Sequence, residues 1–206
     1  MRAVLFDNDG VLVNTEETAI IHDIPFLKTF SLSYTEAEYA ALISGKMLAA
    51  LMAKLGADCV AQTGHSLPPG FQKLLQDEHL RQVREIVGPV PGAVQLVDML
   101  QQRKVPIAVA SNGEMQGLRY KMQKAGFYDR FMPHVYNKDH VNGVGKPAPD
   151  MLLHAMRMLG VTDPAECIYI GDSEADMLSA NAAGMYAIGS SPGSHRAPDY
   201  GQTLDD

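Results

Sequence analysis

The stretch Ala3-Val4-Leu5-Phe6-Asp7-Asn8-Asp9-Gly10 decides the fold. Four apolar residues in a row read as a short strand buried on both faces of a parallel sheet. Gly10 ends the strand and releases the chain into a loop. Side chains alternate along a strand, so Asp7 and Asp9 share a face up to the point where the chain turns. Both carboxylates then lean toward one place above the carboxyl end of the strand, where open α/β sheets bind ligands. Like charges held that close disfavour each other's ionised form, which costs stability and serves chemistry.

Three further short apolar runs, at residues 107–110, 167–170 and 186–188, read as companion strands. Helical spacing appears between them. Ala93, Leu96, Val97 and Leu100 recur behind Pro91-Gly92, and Met151, Leu152, Ala155, Met156 and Leu159 recur behind Pro149-Asp150. Strands alternating with helices imply right-handed crossovers, hence an α/β protein with a doubly wound, Rossmann-like parallel sheet. Residues 15–88 follow another rule, with helical periodicity at 18–30, 36–43, 47–55 and 71–86 and no strand pattern. They read as an inserted helical cap, entered through Val13-Asn14-Thr15 and left through Gly88-Pro89-Val90-Pro91-Gly92. Residues 1–14 and 89–206 would form the core.

The composition excludes several classes. Of 206 residues, 46% are hydrophobic and 20% charged, enough apolar material for a sizeable core. Seventeen basic against 24 acidic residues give a net charge of -7, and no dense Lys/Arg run marks a nucleic-acid surface. Cys59 and Cys167 stand in no metal or redox spacing. No apolar stretch reaches membrane-spanning length, and the first residues carry no charged leader. The expectation is a reduced, cytoplasmic protein, monomeric or a small homo-oligomer, whose partner is a small molecule rather than nucleic acid or membrane.

Three more polar clusters follow strands or loops of the same sheet: Ser111-Asn112-Gly113, Gly145-Lys146-Pro147, and Gly171-Asp172-Ser173-Glu174-Ala175-Asp176. Parallel strands must bring the Asp7, Ser111 and Asp172 clusters out at one sheet edge. Ser111 offers a hydroxyl and, at the start of a helix, backbone N–H groups that favour an anion. Lys146 is the kind of point charge that holds phosphate. Asp7, Asp9 and Asp172 are hard oxygen donors suited to Mg2+. A carboxylate about 4 Å from a phosphate oxygen meets roughly 4 kcal/mol of repulsion at an effective dielectric near 20. Lys146 and a divalent ion together offset that.

With these residues in view, the chain resembles the haloacid dehalogenase superfamily, in its phosphatase branch with a helical cap. Asp7-Asn8-Asp9-Gly10-Val11-Leu12, Ser111-Asn112, Lys146 in Gly-Lys-Pro, and Gly171 to Asp176 match its four signatures in order. The cap matches in position and helical character only. The resemblance implies that Asp7 is a nucleophile forming an aspartyl-phosphate. Asp9 would be general acid and then general base. Ser111 and Lys146 would hold the phosphoryl oxygens, with Asn112 supporting their loop. Mg2+ would sit on Asp7, the backbone carbonyl of Asp9, and Asp172, with Asp176 as an outer or alternative metal carboxylate. The implied reaction is Mg2+-dependent hydrolysis of a small phosphorylated metabolite, a sugar phosphate or a phosphoglycolate-like ester.

Some positions depart from the pattern. Asn14 stands near the first hinge where relatives usually carry Asp, which reads as tuning of the hinge. Sugar-phosphate mutases of the same branch carry a cap His ten residues after the second Asp, where this chain has Ala19, and an Arg where it has Leu48. Lys46, beside Gly45, is a candidate substrate contact; a cap lysine also forms the Schiff base in phosphonoacetaldehyde hydrolysis. A receiver module shares the acids, Ser/Thr, Lys and Mg2+ but lacks a long helical insertion. A phosphate-binding protein without turnover is the remaining alternative. The bland readings are turn-forming Asp residues, Ser111 as a helix N-cap, and Asp172, Glu174 and Asp176 as acids favoured in a first helical turn.

Overall fold

The computed structural model describes residues 1–43, 48–85 and 87–190. Its centre is a parallel sheet of five strands: β1 (Ala3–Phe6), β2 (Ile107–Ser111), β3 (Val135–Asn137), β4 (Cys167–Gly171) and β5 (Tyr186–Gly189). The order is β3-β2-β1-β4-β5, with β1 in the middle and β2 and β4 on either side. Chain order reverses beside β1, so the crevice beyond its carboxyl end is the switch point of the sheet.

Alternation along β1 serves both faces. Val4 and Phe6 pack with α5 (Ala93–Gln102), α6 (Met115–Lys124) and α7 (Tyr128–Phe131), through Val97, Leu100, Leu118, Met122, Phe127 and Phe131. Ala3 and Leu5 face α8 (Asp150–Met158) and α9 (Glu174–Ala183), where Met151, Leu152, Ala155, Met156 and Ala180 close the second core. A strand covered on both sides carries apolar residues on both faces, as β1 does throughout and β2 does up to Ser111.

Among the described residues, four helices lie between β1 and the rest of the sheet: α1 (Thr15–Lys28), α2 (Glu36–Ile43), α3 (Leu48–Thr63) and α4 (Phe71–Glu85). They share an apolar cluster of their own, built on Leu27, Leu32, Tyr39, Leu42, Leu55, Cys59, Phe71 and Leu75. Among the described residues no helix is long and apolar enough to cross a membrane.

The sequence reading differs from the structure in three places. β3 goes unread because Val135, Tyr136 and Asn137 form no apolar run; neighbouring β2 recruits them. The third helix, expected to stop near Leu55, continues through Gly56 to Thr63, because Leu55 and Cys59 bury one turn apart in the helical cluster. Tertiary packing outweighs the local cost of a glycine of about 1 kcal/mol. No helix opens at Ser111: that residue ends β2, and α6 begins at Met115 behind an extended Glu114.

The two linkers of the helical block are tied together. Val13 bridges Pro89 antiparallel, and the Val90 N–H donates to the Leu12 carbonyl at 2.9 Å. One residue further, the Asn14 N–H donates to the Gly88 carbonyl at 3.1 Å, and the Gly88 N–H returns a bond to Asn14 Oδ1 at 2.8 Å. The departure at position 14 thus sits on the paired linkers and supplies an acceptor there. Asn14→Ala should lose about 1 kcal/mol, a drop of roughly 2–4 °C in Tm for a chain of this size. Asn14→Asp keeps the acceptor and should melt close to wild type. Thermal denaturation of both variants checks this, and an unchanged Tm in Asn14→Ala contradicts it.

Candidate active site

Asp7 directly follows β1, and its backbone N–H still pairs with the Ile170 carbonyl of β4 at 2.8 Å. The next turn folds tightly over β4. Gly10 has φ +75, and a Cβ there would lie 1.7 Å from Asp172 Oδ2, so only glycine lets the β1 loop approach the β4 loop. Gly171 likewise leaves room for Asp176, whose Cβ would stand 2.3 Å from any side chain at that position. Asp7, Asp172 and Asp176 consequently each bring a carboxylate oxygen within 4.8 Å of the others.

One buried cation answers these acids. Lys146 Nζ lies 2.8 Å from Asp7 Oδ1 and 2.5 Å from Asp176 Oδ1, and donates to the Tyr169 hydroxyl at 2.9 Å. Tyr169 is itself fully buried and donates to Asp176 Oδ1 at 2.8 Å. The other Asp176 oxygen accepts from the Ser173 N–H at 3.0 Å and the Ser173 hydroxyl at 2.6 Å, as part of the capping box that opens α9. Asp176 is therefore held on both oxygens, and the bland reading of a helix-start acid describes half of what it does.

These contacts set the ionisation. Burial alone would depress the Lys146 ammonium, but Asp7 and Asp176 more than offset it and raise it above the ordinary lysine value. Burial raises Asp176 too, yet the Lys146 charge and the hydrogen bonds to it hold that carboxyl below its usual range. Asp7 goes the other way. Burial, opposed by Lys146 and reinforced by Asp176 and Asp9, pushes it up to about 7. Asp7 Oδ1 is buried without a hydrogen-bond donor aligned on it, its ion pair with Lys146 notwithstanding. A buried carboxylate oxygen with unused acceptor capacity, beside further hard oxygens in excess of nearby positive charge, fits a divalent cation such as Mg2+.

Ser111 stands at the same edge of the sheet. It is buried at the end of β2, and its Oγ accepts the Gly113 N–H at 3.3 Å. Asn112 is committed to the Lys146 backbone, accepting its N–H at 2.8 Å and donating to its carbonyl at 3.0 Å. That two-way amide clamp fixes the loop on which the lysine stands. Glu174 lies exposed in the first turn of α9. Lys46 lies outside the described residues.

Asp9 is turned to other partners. Lys121 Nζ of α6 approaches its two oxygens at 2.5 and 2.6 Å, the Thr15 hydroxyl donates at 2.7 Å, and Asn8 Nδ2 donates at 3.2 Å. Partial burial would raise this carboxyl, but Lys121 above all, then Thr15, holds it below the usual value. The sequence reading gives Lys121, Thr15 and Tyr169 no role at the site. Tyr169 left a signal, since a tyrosine in a doubly covered strand needs a buried partner for its hydroxyl. Lys121 left none: a lysine on an amphipathic helix ordinarily reads as solvated.

A parallel α/β sheet with an acidic cluster and a buried lysine at its switch point has the form of a ligand site of open α/β proteins. The particular family follows from comparison. A model of the haloacid dehalogenase-like hydrolases matches residues 1–184, and the chain belongs to that family. Hexitol phosphatase A of Escherichia coli is 32% identical over 112 residues, 54% of this chain and 50% of that one, so the chain spans half its length. Beta-phosphoglucomutase of Bacillus subtilis is 27% identical over 202 residues, covering 92% of this chain and 83% of that enzyme. Among solved structures, an HAD family hydrolase of Deinococcus radiodurans R1, with bound phosphate and sodium, superposes with a TM-score of 0.80 at 30% identity. It covers 91% of this chain and 79% of its own.

The ionisation of Asp7 yields a test. A carboxyl raised in the folded state lends stability below its unfolded value near 3.8 and loses it as pH rises toward about 7. At pH 8 with EDTA, Asp7→Asn should therefore melt above wild type, by at least roughly 2–4 °C per kcal/mol relieved. The advantage should shrink on acidification and when Mg2+ is added. Asp7→Asn melting below wild type at pH 8 would contradict the account.

Proposed function

We propose that the protein is a Mg2+-dependent phosphomonoester hydrolase acting on a small phosphorylated metabolite, sugar phosphate or phosphoglycolate-like, through an aspartyl-phosphate. The observation that carries this reading is the meeting of Asp7, Ser111, Lys146 and Asp172 at one edge of the sheet, from three separate strands and one loop. Asp7 and Asp172 would hold the divalent ion together with the Asp9 carbonyl, Asp176 standing behind them. When bound, the ion would supply charge compensation to the transferring phosphoryl group.

The residues divide the work as follows. An Asp7 oxygen attacks phosphorus while the ester P–O bond breaks. The leaving alkoxide takes a proton from Asp9. Water then attacks the phosphorus of the aspartyl-phosphate and yields a proton to Asp9, releasing phosphate and the Asp7 carboxylate. Splitting one displacement into two eases each of them. The Ser111 hydroxyl would donate to a phosphoryl oxygen. Lys146 would orient Asp7 and offset the anion's charge, with Asn112 and Asp176 fixing its position.

Residues 15–88 would serve as a cap over the core formed by 1–14 and 89–206. Lids of this kind admit substrate when open and exclude water when closed. A mutase of the beta-phosphoglucomutase kind is less well supported, because Ala19 and Leu48 stand where those enzymes carry a cap His and Arg. The excess of acidic charge and the lack of a basic run argue for a small-molecule partner.

Phosphate release from a panel of esters, with Mg2+ or EDTA, tests the reading. Release should depend on Mg2+ and vanish in Asp7→Asn; release that survives in Asp7→Asn removes Asp7 as nucleophile. Asp9→Asn should cost alkyl phosphates about 10²–10⁴-fold and aryl phosphates much less, since aryl leaving groups need little protonation. Equal losses on the two ester types would sink the general-acid role.

A further inference from the structure

Asp9 stands apart from the acids it would have to serve. The carboxylates that converge within 4.8 Å are those of Asp7, Asp172 and Asp176. The Asp9 side chain is instead bound through both oxygens to Lys121 and through one to Thr15. On the phosphatase reading, Asp9 must leave Lys121 to reach the ester oxygen of a substrate seated on Asp7. What Lys121 does then decides which esters suit the site.

Lys121 belongs to α6, on the sheet side of the cleft, and its side chain is only 14% exposed while that of Asp9 is 31% exposed. Among the described residues, Asp9 is the acid that forms an ion pair with it. A largely covered ammonium whose partner departs is strongly disfavoured unless another anion replaces it. His79 of α4 lies within electrostatic reach of both Asp9 and Lys121, but burial holds its imidazole below the ordinary value, and the nearby acid Asp23 of α1 has its oxygens taken by Tyr39 and Gln82. A hydroxylated, uncharged leaving group would leave Lys121 unpaired. A leaving group with its own carboxylate or second phosphate would take the place of Asp9 as Asp9 turns inward.

We infer that Lys121 is the specificity residue for a second anionic group on the substrate, and that this enzyme's esters carry such a group on the alcohol that leaves. The inference rests on the phosphatase reading and narrows it. Substrate binding becomes an exchange of partners: the incoming anion takes Lys121, and the acid–base residue is released toward the reacting phosphoryl group. Thr15, the first residue of α1, holds the remaining bond to Asp9 and links the exchange to the helical block.

The test compares carboxymethyl phosphate with hydroxyethyl phosphate, two esters of similar size, in wild type, Lys121→Met and Lys121→Arg with Mg2+. Wild type should favour the carboxylated ester in kcat/KM by about tenfold or more, the scale of one charge-assisted hydrogen bond. Lys121→Met should erase that preference, chiefly through a raised KM for the carboxylated ester, and Lys121→Arg should restore most of it. In parallel, thermal shift with phosphonoacetate against ethylphosphonate reads binding without turnover. Phosphonoacetate should protect wild type and Lys121→Arg more strongly, and Lys121→Met equally with either compound. A wild-type preference that survives in Lys121→Met, or no preference in wild type by either readout, overturns the role of Lys121. If wild type hydrolyses neither these esters nor any other, the phosphatase reading fails, and the phosphonate comparison still decides whether Lys121 selects a second anion.

Discussion

The ion pairs of Lys146 are the constraint on which the site depends. One buried ammonium stands between Asp7 and Asp176, braced by Tyr169 on one side and by Asn112 through its own backbone on the other. Removing the lysine would leave its buried acids uncompensated, so this one cation holds both in place. The sheet makes this possible: β1 and β4 are neighbours, and their loops converge only because Gly10 and Gly171 leave the space. Asp176 takes up the lysine's charge and lies low, while Asp7 is left high. A single cation therefore creates two unlike carboxyls, and the less satisfied one follows the central strand. Strongly shifted groups in a cleft are a recurrent mark of catalytic sites.

A second arrangement links the helical block to the chemistry. Asp9 is bonded to Thr15 where α1 begins, and Asn14 beside it is bonded to Gly88 where the block returns to the sheet. The proposed acid–base residue and the proposed hinge therefore lie within one short segment. If residues 15–88 move as a cap, the partners of Asp9 change with them. On that account the cap would do more than cover the substrate, since its position would set whether Asp9 faces Lys121 or the ester.

Much of this was legible in the amino-acid order, for a physical reason. β1 and β2 are buried on both faces, and β4 on one face and partly on the other, so each writes an apolar run, and the polar residue that ends it marks the sheet edge. Asp7, Ser111 and Asp172 were found that way. β3 was not, because a three-residue strand owes its conformation to β2 and not to its own composition. Lys121 was not, because its partner lies 112 positions away and helical spacing says nothing of such a meeting. The dual character of Asp176 was half legible: its place in a first helical turn reads from the sequence, whereas its bonds to Ser173 and Lys146 depend on how the loops fold over the sheet.

The central claim is that Asp7 accepts the phosphoryl group. Rapid acid quenching during turnover of a hydrolysed ester, followed by peptide mapping with mass spectrometry, tests it most directly. The account predicts a phosphoryl group on Asp7, accumulating when Asp9→Asn slows the attack of water. Turnover with no label on Asp7, or with label on another residue, would contradict it.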